Sequence, residues 1–262
     1  MSDTFQAAMV AGHLRIFSLL PRTARVGDPH ICSGVLGVGD APVIIPRKNW
    51  PAEGVNFSDE VWRIRDQNGF SLCHSFGGAT VAEIAHERAG HRKILLSAGS
   101  LAGQVTGHQD DGAAIQDVLP VLRDKGLCPA SLIDENDYKG RNWPKGWEAE
   151  AAKYRAEYVW DCGQGAKVFD SIVTCLLLGW PVLLGTSAFG GGHAVAVTGY
   201  QYDGTKVRLF GPNSWGEKYK GWDLPGFWSY TESQLRDVSN YGAFGVQLPA
   251  SNPDDNPPAV EV

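Results

Sequence analysis

The apolar pattern of this chain changes character near Trp160, and that change confines it to a mixed fold. Upstream, apolar side chains recur at helical spacing. Cys73 to Ala89 (CHSFGGATVAEIAHERA) lines up Phe76, Thr80 and Ile84 with Ala79 and Glu83 beside them, and the run ends at Gly90. Ala113 to Lys125 puts Ile115, Val118, Leu119 and Leu122 on one face, with Pro120 predicting a kink and Gly126 the stop. Downstream, Val182 to Thr186, His193 to Tyr200 and Lys206 to Phe210 are short apolar runs bounded by Gly, Pro or Asp, which read as antiparallel strands. Val168 to Leu178 keeps helical spacing and is expected to pack on their sheet. The expected class is α+β, with any chemistry shared between a helical half and a strand-rich half.

A chain of 262 residues with 43% hydrophobic and 20% charged side chains supports one large domain or two lobes. The domain is expected over 46–250. Residues 1–45, rich in Gly and Pro, read as an N-terminal extension, and 251–262 (SNPDDNPPAVEV) as a disordered tail. A net charge of -6 argues against nucleic acid or an anionic membrane as partner. The apolar run from Ile172 to Gly185 is too short to span a membrane and is broken by Gly179 and Pro181. Asp3 stands where a secretory signal carries positive charge, so no signal peptide is expected. Five cysteines, none at CxxC spacing, suggest neither a disulfide framework nor a zinc knuckle. The expected location is the cytoplasm or a particle assembled there.

Four residues are chemically suggestive when taken together. Cys73 opens a predicted helix, where unpaired N–H groups and the helix dipole favour a thiolate. Gln67, six positions earlier, can turn its amide back to complete an oxyanion hole with the Cys73 N–H. His193 opens the run HAVAVTGY behind Gly190, Gly191 and Gly192, which leave an imidazole approachable as a base. Asn213, in GPNSWG, can accept the other ring N–H, and Trp215 can cover that bond from water. Singly, each has an ordinary reading: a packed thiol, a solvated loop amide, a polar strand edge.

Jointly these blocks resemble the papain-like cysteine peptidases. CHSFGGATVAEI preceded by Gln67 is similar to the family's nucleophile helix and its loop, HAVAVTGY to its histidine strand, and NSWG to its asparagine motif, all in the family's order. The resemblance runs from Ile45 to Gln247. It implies a two-lobed fold, with a nucleophile helix in a helical lobe against an antiparallel, β-barrel-like lobe. It implies Cys73 as nucleophile, His193 as acid and base, Asn213 as its orienter and Gln67 as oxyanion donor. Trp215 follows as shield, and Gly112, in GHQDDGA, as the edge where an extended peptide pairs with the backbone. The implied activity is hydrolysis of peptide bonds in a protein or peptide substrate through a thioester, with no cofactor and no metal. The chain departs from the family at Phe70, where a cysteine usually forms a disulfide to the cleft edge, and at His74, where the family has Trp; His74 then perturbs the thiolate or contacts substrate.

Two other readings keep the same residues. One is a cell-wall amidase or endopeptidase; the other is a papain-like scaffold serving as a structural or binding component of a larger assembly. Ala24 to Gly34 (ARVGDPHICSG) resembles the opening of PAAR-type tip proteins of phage and secretion spikes, or is simply a Gly/Asp turn; the resemblance implies an assembly partner for the N-terminal segment. A metal reading on His30 with Cys32, or Cys73 with His74, lacks a second ligand pair of suitable spacing.

Overall fold

A computed structural model describes residues 43–163, 167–235 and 241–249. The N-terminal extension to residue 42, with His30, Cys32 and the ARVGDPHICSG segment, lies outside the described residues, as does the tail.

Helix α1 (Cys73–Arg88) is buried on every face from His74 to His86, so it is the helix around which the rest is built. Its small residues permit this. A Cβ on Gly77 would stand 2.9 Å from Leu183 Cδ1 and 3.4 Å from the backbone of Val195, so the glycine lets the helix lie directly against the strands. Helix α2 (Ala98–Thr106) is capped by the Ser97 side chain, which accepts the Ser100 N–H, and by Gly107 at φ 62°. Helix α3 (Ile115–Pro120) widens into a π-helical turn over Val121–Lys125 and stops at Gly126, φ 78°. The kink expected at Pro120 takes that form, because proline has no N–H to continue the α-helical ladder. Helices α4 (Trp147–Ala151) and α5 (Val168–Leu177) follow.

The strands are β1 (Val55–Asn56), β2 (Tyr158–Asp161), β3 (Val182–Thr186), β4 (His193–Val197), β5 (Gly199–Tyr202), β6 (Val207–Pro212), β7 (Phe227–Thr231) and β8 (Ala243–Gln247). They form two four-stranded antiparallel sheets, ordered β1-β5-β6-β7 and β2-β8-β3-β4, and do not close into a barrel. His193 to Tyr200 is therefore two strands, not the single one expected. At Thr198 the chain leaves one sheet for the other, its N–H bonding Phe210 O at 2.9 Å and its carbonyl accepting Phe57 N–H at 2.8 Å.

Sheet β2-β8-β3-β4 lies between two apolar clusters. Leu183, Ala194 and Ala196 belong to the cluster that holds Phe76, Leu101 and Val118, whereas Leu184, Val195 and Val197 belong to the cluster that holds Ile172, Leu176 and Trp228. The alternation is the period of two that a pleated strand imposes. Strands buried on both faces read as continuous apolar runs, as these do. Among the described residues no helix is long and apolar enough to cross a membrane.

Candidate active site

Gln67 to Phe70 form a two-residue turn closed by Phe70 N–H to Gln67 O at 2.9 Å. Asn68 (φ 51°) and Gly69 (φ 79°) both take left-handed backbone, the arrangement Asn-Gly serves best. The buried Gln67 amide is held at both ends: its Nε2 donates to Phe70 O, and its Oε1 accepts from the Ser214 hydroxyl at 2.6 Å. One Nε2 hydrogen is left for a ligand.

Behind the turn, Arg65 is only 3% exposed and makes ion pairs with Glu83 of α1 and, at 2.6 Å, with Glu135. It also donates to Leu96 O at 2.9 Å. Its own carbonyl accepts Gly216 N–H at 2.9 Å, and Gln67 N–H reaches Ser214 O at 2.8 Å. Residues 65–67 are thus paired on one side with residues 214–216 and locked on the other into the helical half.

Cys73 begins α1 and is partly exposed. Burial pushes the thiol above its ordinary pKa, and the neighbouring backbone N–H groups of Ala194, His74 and Cys73 itself work against the rise. Ala194 is the residue after His193, so the sulfur lies at the start of β4.

His193 is buried, and its Nε2 is 2.8 Å from Asn213 Oδ1. The same oxygen accepts Ser214 N–H at 2.7 Å, which fixes the amide so that oxygen, not nitrogen, faces the ring. Nε2 must then carry the hydrogen, and Nδ1 becomes the basic nitrogen. Burial lowers the imidazole pKa, and the Asn213 contact partly restores it. Trp215, 40% exposed, tilts over the ring at 4.6 Å between centroids, and Phe189 meets it edge-on at 4.9 Å.

Ser214 and Phe189 were not singled out by the sequence reading. Ser214 lies inside the NSWG motif and links it to Gln67 across 147 residues. Phe189 stands four positions before His193, a spacing that could have drawn notice.

Two further expected site residues are Gly112 and His74. Gly112 is exposed in the loop between α2 and α3, with no atom within 4 Å of where its Cβ would be. His74 is fully buried, and neither ring nitrogen has a protein partner, so the side chain is not presented to a ligand at the surface. Burial holds its pKa down to about 4. A cavity of about 640 Å³ is bordered by Asp110, Asp111, Tyr138, Lys139 and Arg141, a lining of both charge signs that suits a polar group.

No protein-family model matches the sequence, and no curated protein matches it. Solved structures do. Xylellain, a cysteine protease from Xylella fastidiosa, is 18% identical with a TM-score of 0.58, over 77% of this chain and 87% of that one. Procathepsin B S9 from Trypanosoma congolense is 14% identical with a TM-score of 0.62, over 80% and 82%. Bromelain from Ananas comosus, solved with the inhibitor E64, is 16% identical with a TM-score of 0.57, over 76% and 99%. The fold is papain-like.

Proposed function

We propose that this chain, papain-like in fold, is a cysteine peptidase that cleaves peptide bonds through a Cys73 thioester. The observation that carries the reading is the contact of His193 Nε2 with Asn213 Oδ1 at 2.8 Å. It leaves Nδ1 as the base on a strand whose next N–H, that of Ala194, neighbours the Cys73 sulfur and opposes the rise in its pKa.

Burial disfavours either charge alone, raising the thiol and lowering the imidazole. Moving one proton from sulfur to Nδ1 creates both charges together, so each compensates the other. The sulfur attacks the substrate carbonyl carbon and the carbonyl π pair moves to oxygen. That oxyanion accepts from the Cys73 N–H and from the free Nε2 hydrogen of Gln67. On collapse the C–N bond breaks, and the imidazolium gives its proton to the leaving amine. Water, deprotonated by His193, then attacks the thioester, releasing the acid and returning the proton to sulfur. The substrate is an extended peptide, pairing its backbone with the loop edge at Gly112. Trp215 keeps water from the His193–Asn213 bond.

Casein incubated with the full chain and with Cys73→Ala tests this. The wild type is expected to cleave and the variant to lose turnover with an unchanged circular dichroism spectrum. Undiminished cleavage by the variant removes Cys73 from the reaction.

A further inference from the structure

We propose that Asp110 is a positioning residue for the two oxyanion donors, tying the span from Gln67 to Cys73 to the helical half by a hydrogen bond where the resembled family has a disulfide. This rests on the peptidase reading above.

Phe70 removes the cysteine that would anchor this span covalently. In its place, Asp110 Oδ1 accepts the Ser71 N–H at 2.7 Å, across 39 residues of chain. Two weaker contacts flank that bond. The Phe70 ring meets Tyr138 edge-on at 5.4 Å, and Asn68 Nδ2 reaches Asn136 Oδ1 at 3.3 Å.

Asp110 itself stands on a fixed base. Thr106 Oγ1, in the last turn of α2, donates to Gln109 O at 2.7 Å and accepts Gln109 N–H at 3.2 Å. His108 Nδ1 lies 2.8 Å from Tyr138 O. The carboxylate therefore transmits the position of α2 to Ser71. Ser71 sits between the Asn68-Gly69 turn that aims Gln67 and Leu72, the residue that caps α1 ahead of Cys73. Both oxyanion donors hang on the ends of the span whose middle Asp110 holds.

A carboxylate accepting a backbone N–H is a charge-assisted bond. Releasing it leaves the sulfur and imidazole where β4 and α1 hold them, but frees the Phe70–Ser71 peptide, whose carbonyl holds Gln67 Nε2, so that the Gln67 donor drifts relative to the Cys73 N–H. Stabilisation specific to the transition state is lost while ground-state binding is kept, so kcat falls and KM does not rise.

The test compares the full wild-type chain with Asp110→Ala and Asp110→Asn; asparagine keeps an acceptor oxygen at the same position. Three quantities are read: hydrogen exchange of the Ser71 amide by NMR, kcat and KM on a peptide, and the rate of Cys73 alkylation by iodoacetamide, which uses no oxyanion hole. Alanine is expected to speed Ser71 exchange and lower kcat about tenfold, with KM and alkylation within about twofold of wild type. Asparagine is expected to restore both exchange and kcat. The proposal is overturned if Ser71 exchange is unchanged in the alanine variant, or if the asparagine variant is as slow as the alanine one. A wild type that cleaves no peptide sinks the peptidase reading instead. Ser71 exchange then decides the tether alone: protection lost with alanine and kept with asparagine sustains it, and unchanged protection removes it.

Discussion

His193 and Asn213 are joined by a hydrogen bond of 2.8 Å whose direction is set by a third group, the Ser214 N–H, which claims the same amide oxygen. The imidazole's tautomer therefore follows from the asparagine, not from the sulfur.

Replacing Asn213 with alanine should lower kcat/KM about 10- to 100-fold, because the ring loses the partner that fixes its tautomer. The sign of the pH effect follows as well. The Asn213 contact raises the His193 pKa, so its loss lowers it, and the acidic limb of the kcat/KM profile, set by an imidazole that must be neutral to take the thiol proton, moves to lower pH. A pH–rate profile of the variant checks both.

Arg65 links the Gln67 segment to Glu83 on α1 and to Glu135, all three nearly inaccessible to water. Truncating it strips Glu83 of its ion pair and leaves Glu135 with Arg63 alone. Arg65→Met should cost about 3–5 kcal/mol of stability, and neutralising Glu83 as well, with Glu83→Gln, should recover part of that loss. Urea melts of the single and double variants measure the difference.

His74 and His86 both have folded pKa values near 4, lowered from 6.5 chiefly by burial. Between pH 4 and 6.5 the unfolded chain binds more protons than the folded one, so their stabilisation is complete above about 6.5 and is lost as pH falls towards 4. The loss from His74 alone is on the order of 3 kcal/mol. Thermal melts across this range should show it, and His74→Phe should flatten the dependence by about half.

The sequence made α1 legible because a run of small and apolar residues at helical spacing ends at glycine, and made β3 and β4 legible because both faces are buried. It did not reveal α2. AGSLAGQVT carries two glycines and little helical preference, and the helix stands on the Ser97 cap, the Gly107 stop and its burial. Nor did it reveal β8, whose place between β2 and β3 depends on partners far along the chain. The site was legible at the same level. Gln67, Cys73, His193 and Asn213 could be picked out by type and order, whereas the Ser214 hydroxyl bond to Gln67, the Phe189 edge on His193 and the Asp110 hold on Ser71 are long-range pairings that no local pattern encodes. His74 looked available beside Cys73; one helical step turned it into the core.

The central claim is that one thiol among several is the nucleophile. Among the described residues Cys73, Cys128, Cys162 and Cys175 are free, but only Cys73 is not buried. Treating the full chain with an epoxide inhibitor of the E-64 type and mapping the adduct by mass spectrometry separates them. The account predicts a single adduct at Cys73, formed in parallel with loss of peptide hydrolysis. Labelling of any other cysteine in its place, or hydrolysis that persists once Cys73 is fully modified, would contradict it.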